Sequence, residues 1–325
     1  MRFIIIGAGG IGGVVGGRLA QHGHEVVLVA RGTHAAAMRS NGLVLRSPDG
    51  SDTLHLPVFE RPADVPLRAG DIAMMAVKSQ DTVGVLDALA LAAGPQLPVV
   101  CLQNGVDNER QALRRFRNVY AVPVVCPAGH VSPGEVTLYS SPVSGIFDVG
   151  RYPTGTDETG AAISAALASS TFSSEVRADV MRWKWAKLLS NLGNAIEAIC
   201  GEITADSRLM DRVRAEGESV LAAAGIAVAS AEEERVRRGD LIRLRPVEGE
   251  RRGGGSSWQS LVRGVGSIES DHLNGEIVLL GRMHGVPTPV NEALQVLANR
   301  AAADRTPPGS MTEDEVIAFS GEGPR

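Results

Sequence analysis

Apolar positions come as short β-branched runs through the first half of the chain and at helical spacing through the second. Arg2 to Ile6 is one such run, ending at Gly7, and Ile11 to Gln21 then reads as a helix of small residues. Further strands are expected at His24 to Ala30, Asp71 to Val77 and Pro98 to Leu102, with helices at Thr33 to Ser40 and Val83 to Ala92. Strands that are apolar on both faces and alternate with helices predict an α/β fold, with an N-terminal Rossmann-type doubly wound parallel sheet. Between these elements Leu43 to Phe59 alternates as exposed β structure does. From Asn118 to Gly150 the pieces are short and β-rich, with a turn at Ser132-Pro133-Gly134. A polar loop from Tyr152 to Gly160, an Ala/Ser-rich helix and a strand-like piece from Ser174 to Ala178 follow.

From Met181 onward the spacing is helical, at 181–200, 206–224, 229–238, 258–283 and 288–302, which predicts an all-helical C-terminal domain. The domain boundary is therefore expected at 178, dividing the chain into 1–178 and 179–325. Arg235 to Gly255, rich in Arg, Glu and Gly, interrupts the helices and reads by default as a mobile surface loop. The tail from Asp304 is Pro/Gly-rich and acidic, and no internal repeat is present.

Composition narrows the class. The 325 residues include 38 Gly but only 4% aromatics, so the cores must be built from Ala, Val, Leu and Ile. With 32 Lys+Arg against 37 Asp+Glu, the net charge of −5 gives no general attraction to polyphosphate or an anionic membrane. Nucleic acid is not an expected partner. No stretch approaches the ~18 uninterrupted apolar residues of a membrane span. Cys101, Cys126 and Cys200 are widely spaced with no CxxC pair, which fits reduced thiols in a cytoplasmic protein and gives no metal site.

Gly7-Ala8-Gly9-Gly10-Ile11-Gly12 is GxGxxG placed between a strand and a helix, the context that makes the pattern informative. Gly7 allows the tight turn, Gly9 lets backbone approach a pyrophosphate and Gly12 lets helix pack close on strand. Gly10 and Ile11 open the helix whose free N–H groups would receive the anion. At the end of the second strand, where an NAD enzyme has Asp or Glu, the chain has Val29-Ala30-Arg31-Gly32. Arg31 could pair with a 2′-phosphate, so NADP(H) is expected over NAD(H) and residues 1–178 form an NADP(H)-binding domain. A solvated Arg at the strand end is the plainer alternative.

Lys187, Asn191 and Asn194 lie in WAKLLSNLGNAIEAI, and on one helix positions i, i+4 and i+7 fall within about 60° of each other. Lys with two Asn on one stripe is an unusual polar face for a helix otherwise lined by Leu188, Leu189, Leu192 and Ile196.

With these residues in place the sequence resembles the ketopantoate reductase (2-dehydropantoate 2-reductase) family over nearly its whole length. The resemblance rests on GAGGIGG, Arg31, Val77-Lys78-Ser79, Gln103-Asn104-Gly105, Pro133-Gly134, the Lys187/Asn191 helix, Ser256-Ser257, Ser267-Ile268-Glu269, Leu273-Asn274-Gly275 and the run His284 to Asn291. It implies NADPH-dependent reduction of the 2-oxo group of ketopantoate to D-pantoate in pantothenate biosynthesis, with 179–325 as a helical substrate and catalytic domain. Lys187 matches the family's catalytic lysine and Glu269 its second catalytic group. Ser257 matches the residue that takes the substrate carboxylate and Asn191 one that orients substrate. Asn104 and Lys78 match residues on the nicotinamide side of the cofactor pocket, Asn104 also facing substrate.

Two positions depart from the family. Its second Asn, eight residues after the lysine, is here Ala195; Asn194, one residue earlier, lies closer to Lys187 around the helix and on its other side, so it need not replace the lost contact. After Ser257 the family has Met-Leu-Gln-Asp and this chain Trp258-Gln259-Ser260-Leu261. Both departures concern substrate, so a reductase of the same architecture acting on another carbonyl, imine or hydroxy acid stays open, as does a non-catalytic NADPH-binding sensor. The expected partner is a small 2-oxo acid, and a homodimer is an open alternative to a monomer.

Overall fold

The computed structural model describes residues 1–130, 132–248 and 253–321. Its main sheet has seven strands in the order Gly150–Arg151, Val119–Ala121, Val99–Cys101, Asp71–Met75, Arg2–Ile6, Glu25–Val29, Val58–Phe59. All neighbours are parallel except Gly150–Arg151, which runs antiparallel to Val119–Ala121. The N-terminal Rossmann-type doubly wound sheet expected from the strand pattern is present, and the first strand is flanked by Glu25–Val29 and Asp71–Met75, so the chain reverses its winding at the end of Arg2–Ile6. In such sheets ligands bind beyond the carboxyl ends of the strands at that reversal.

The strand's alternation builds two cores. Phe3 and Ile5 pack with Val14, Val15 and Leu19 of the helix Gly10–Gln21 on one face. Ile4 and Ile6 pack with Leu86 and Leu89 of the helix Thr82–Ala92 on the other. At the strand's start Arg2 donates to both carboxylate oxygens of Asp71 at 2.8 and 2.7 Å, with side chains 5% and 1% exposed. Burial alone would push the Asp71 carboxyl up, but hydrogen bonds from Arg2 and the Arg68 N–H outweigh it and hold the carboxyl below its ordinary range. A depressed carboxyl stabilises the fold above the unfolded-state value, near pH 4, and that contribution is lost as pH falls through the folded value. Asp71→Asn is therefore expected to flatten the loss of stability between pH 5 and 2 in urea melts, while costing about 3 kcal/mol at pH 7 because Arg2 is left buried and unpaired.

Leu43 to Phe59 differs from the exposed β structure expected of it. Leu43–Ser47 buries Leu43 and Leu45 and pairs parallel with Glu135–Leu138, while the strand Gly50–Leu54 outside it is exposed up to Thr53. The cause is the first helix, since a Cβ on Gly17 would lie 3.1 Å from Leu45, so the small residue lets this second sheet close on the helix.

The chain divides into two compact units, Met1–Lys184 with Ser230–Arg252, and Trp185–Ala229 with Gly253–Arg325. This departs from a single cut at 178, because the stretch read as a mobile loop returns to the first unit. Arg237, on the helix Ala231–Arg238, donates to both oxygens of the buried Asp148, which also accepts from Arg177, and Leu244 bridges to Ser140. The central part of that expected loop, residues 249–252, lies outside the described residues.

The second unit is helical throughout its described part, but two long helices are broken. The 181–200 helix is two, Val180–Asn191 and Gly193–Cys200, and Asn274 Nδ2 donates to the Leu192 carbonyl at 3.2 Å where they part. A side chain inserted into the main-chain ladder is a sufficient cause of such a break. The 258–283 helix is also two, Ser256–Val262 and Asn274–His284, separated by a loop with Gly264 and Gly266 at φ +59° and +78° and a short 3₁₀ turn, Glu269–His272. The acidic tail contains one more helix, Glu313–Phe319, opened by a Thr312/Glu315 capping box. None of the helices among the described residues is long and apolar enough to cross a membrane.

Candidate active site

Within the first unit the glycine turn is held from three sides. Gly7, at φ +99°, donates its N–H to Val29 O at 2.9 Å, and a Cβ there would lie 2.6 Å from Val77 N. A Cβ on Gly12 would lie 2.2 Å from Gly7 O. Gly9 is different, because a Cβ there would meet only His130 Cδ2 at 3.9 Å. Two glycines are thus required by the protein's own packing, and the third keeps an open face beside the first N–H groups of the helix Gly10–Gln21. That is the arrangement a pyrophosphate needs. His34 steadies it from outside the motif. Gly134 N–H donates to His34 Nδ1 at 2.8 Å, which leaves Nε2 to donate to Ala8 O at 2.7 Å.

Arg31 stands where the second strand ends, as the residue before the helix Gly32–Asn41. Its side chain is 72% exposed and donates to Asp81 Oδ2 at 3.1 Å. An exposed pair of this kind contributes at most about 1 kcal/mol, so the guanidinium is held in place yet available to an incoming dianion.

Two further segments, those for which the resemblance implies a place on the cofactor side, are cross-braced. Gln103 Nε2 donates to Val77 O and Thr82 Oγ1, at 2.9 and 2.7 Å, and Thr82 in turn donates to Asn108 Oδ1. Asn108 Nδ2 returns to Asn104 O at 2.9 Å and Ser79 Oγ at 3.2 Å. Lys78 and Asn104, both half-buried, are thereby carried on two loops fixed to each other. Nothing in the sequence pattern singled out Gln103, Thr82 or Asn108 for this work.

In the second unit Lys187 is half-buried on Val180–Asn191, and Asn191 follows one turn later. Asn191 is 4% exposed and its Nδ2 has no hydrogen-bond partner among the described residues. Buried amide donors are nearly always satisfied, so this one calls for an acceptor from a ligand. Asn194 sits on the following helix, so the single-helix geometry that grouped it with Lys187 does not apply, and it faces the glycine run, with Oδ1 3.7 Å from a Cβ built on Gly255.

Ser256 and Glu269 do come together, with Ser257 the residue after Ser256 in the chain. Ser256 Oγ donates to Glu269 Oε2 at 3.1 Å, and Ser257 and Glu269 are 3% and 5% exposed. Glu269 lies in the 3₁₀ turn rather than in a long helix. Glu197 accepts from Gly255 N at 2.7 Å, and Cβ atoms on Gly253 and Gly254 would fall 2.2 and 2.6 Å from the Trp258 ring. The GGG run is therefore the space that Trp258 occupies, and the family departure at Trp258 is coupled to the glycines before it.

Other motif residues are architectural. Asn274 donates to Asn291 Oδ1, and Glu216 accepts from the N–H groups of Val290 and Asn291 where Pro289–Ala303 begins. The three cysteines are free, and burial pushes the thiols of Cys126 and Cys200 up to about 12, far from thiolate chemistry. No group of His, Cys, Asp or Glu among the described residues is arranged to hold a metal ion.

Comparison with known proteins identifies the family. The family model described as ketopantoate reductase PanE/ApbA matches residues 3–153, and that of its C-terminal part matches 179–302. A 2-dehydropantoate 2-reductase of Archaeoglobus fulgidus is 30% identical over 305 residues, spanning 90% of this chain and 95% of the relative. The chain belongs to the ketopantoate reductase family. A solved PanE/ApbA family ketopantoate reductase from Ralstonia eutropha superposes with a TM-score of 0.77 at 28% identity, covering 94% of this chain and 99% of that one. The same fold is present in a D-mandelate dehydrogenase solved with NADH and anilino(oxo)acetate, with a TM-score of 0.78, 21% identity and coverage of 94% and 99%. Membership in the ketopantoate reductase family makes the chain an oxidoreductase.

Proposed function

We propose that this chain reduces 2-dehydropantoate (ketopantoate) to D-pantoate with NADPH, as a cytoplasmic biosynthetic enzyme. The observation that carries the reading is the buried, unpartnered Asn191 amide one turn from Lys187, in a chain of this family. The open face at Gly9, the closed ones at Gly7 and Gly12 and the exposed Arg31 fit an NADP dinucleotide. When bound, that cofactor supplies the hydride and carries the difficult part of the chemistry.

The residues of the chain do the rest. Gly9, Gly10 and Ile11 offer main-chain N–H groups to the pyrophosphate, and Arg31 offers paired donors to the 2′-phosphate. Lys78 and Asn104 line the nicotinamide side. Lys187 presents its ammonium to the ketone oxygen, stabilising the charge that develops there and delivering the proton. Asn191 orients that oxygen, Ser257 takes the substrate carboxylate, and Glu269, held by Ser256, receives a substrate hydroxyl. Asn194 lines the same pocket from the next helix.

A second reading, a different branched or aromatic 2-oxo acid, is favoured by the packing of Trp258 into the glycine run and by Ala195, which removes an amide. NADPH oxidation with ketopantoate beside other 2-oxo acids separates the two. The proposal expects ketopantoate to be preferred at kcat/KM of about 10⁴ M⁻¹s⁻¹ or more. NADPH should be preferred to NADH, and Arg31→Asp should raise the KM for NADPH by about tenfold or more while leaving that for NADH little changed. Equal use of both cofactors by the parent protein would overturn the assignment of Arg31.

A further inference from the structure

Lys184 lies three residues before Lys187 on the same helix and is only 2% exposed. Its ammonium donates to Glu109 Oε1 at 2.6 Å and to Gln103 O at 2.8 Å, contacts that lie wholly within the first unit. Glu109 is fully buried, and its Oε2 and the Gln103 Oε1 have no partner among the described residues. Burial pushes the Glu109 carboxyl upward and Lys184 opposes it.

Such a pair is a poor device for stability. Removing two charges from water costs several kcal/mol per ion, and apolar residues of the same volume usually serve a fold as well or better. A pair kept for stability would also satisfy its remaining acceptors, and this one does not. What it secures is position. Gln103 O is the carbonyl immediately before Asn104, and Gln103 is the hub that ties Val77 O and Thr82 to the Asn108 brace. One ammonium therefore ties both loops to the second turn of the helix Val180–Asn191, within the first unit.

We infer that Lys184 and Glu109 form a positioning pair, which holds the Gln103-Asn104-Gly105 segment in place from within the first unit and acts on turnover rather than on cofactor affinity. The inference rests on the proposed roles of Asn104 and Lys187. Single substitutions strand a buried charge and endanger folding, so the informative variant is the double one, Lys184→Met with Glu109→Gln, which removes both charges together.

The experiment measures four quantities in parent and double variant: the melting temperature, NADPH affinity by the fluorescence of the bound nucleotide, kcat and KM with ketopantoate, and amide hydrogen exchange over residues 103–106. The expected result is a melting temperature within a few degrees of the parent, an NADPH Kd changed less than threefold, a kcat at least tenfold lower and faster exchange over 103–106. A folded double variant with kcat within twofold of the parent overturns the inference, and so does one that melts more than 10 °C lower, which would assign the pair to folding. If the parent itself does not turn over ketopantoate, the functional proposal fails. The exchange readout then still decides the pair: faster exchange over 103–106 supports it and unchanged exchange overturns it.

Discussion

Lys187→Ala is expected to lower kcat for ketopantoate by about two orders of magnitude or more, with NADPH affinity unchanged. Carbonyl reduction places negative charge on oxygen only as the transition state is reached. A cation aimed at that oxygen therefore contributes to kcat rather than to ground-state binding. Lys187 is suited to this because it is half-buried on an ordered helix, where competing solvent is reduced, and because Asn191 presents its unpartnered amide one turn away. Lys187→Arg keeps the charge but changes its shape and reach, and should recover only part of the loss. Steady-state kinetics with NADPH held saturating, beside fluorescence titration of the cofactor, separates the two parameters. Turnover of the Ala variant within tenfold of the parent would remove Lys187 from the mechanism.

Gly12→Ala should weaken NADPH binding by about tenfold or more and lower the melting temperature, because overpacking at an unyielding contact costs about 1–3 kcal/mol. The added methyl would sit 2.2 Å from Gly7 O, 2.9 Å from Ile5 and 3.0 Å from Ala76, so the helix Gly10–Gln21 must back away from the turn proposed to bind phosphate. Gly9→Ala is the informative contrast. Its methyl meets nothing nearer than 3.9 Å, so the fold should keep its melting temperature while the cofactor loses the open face. Calorimetry of the apo proteins and NADPH titration together test the pair. If Gly9→Ala binds NADPH as the parent does, the pyrophosphate does not pass over Gly9.

The readable parts of the molecule were those set by local periodicity. Arg2–Ile6 alternates Phe3 and Ile5 against Ile4 and Ile6 into two cores, and a run apolar on both faces announces a central parallel strand without help from elsewhere. The three glycines of the turn were legible from their spacing and their place between strand and helix, although the backbone that confines Gly7 is that of Val77. The capping box at Thr312 and Glu315 was a local signal too, and attention to TxxE would have found the final helix. Other features depend on partners far along the chain. The break at Leu192 is imposed by Asn274, the last glycine of the run is held by Glu197, and Lys184 is fixed by residues 75 and 81 positions away. Periodicity carries no information about such pairings. A Lys in a helix reads the same whether it meets water or a buried carboxylate, and the family resemblance assigned residues to substrate without naming those that hold their segments.

The return of Ser230–Glu248 to the first unit has a consequence for anyone who would shuffle this enzyme's parts. Asp148 is 1% exposed and answers to Arg177 from its own neighbourhood and to Arg237 from 89 residues further on. A chimera joined at one crossover after Lys184 would import the Arg237 segment from a foreign parent, and any parent lacking that arginine would leave a buried carboxylate half neutralised. Recombination that respects the fold must exchange Met1–Lys184 and Ser230–Arg252 as one inheritance. The gene, read linearly, does not display its own modules.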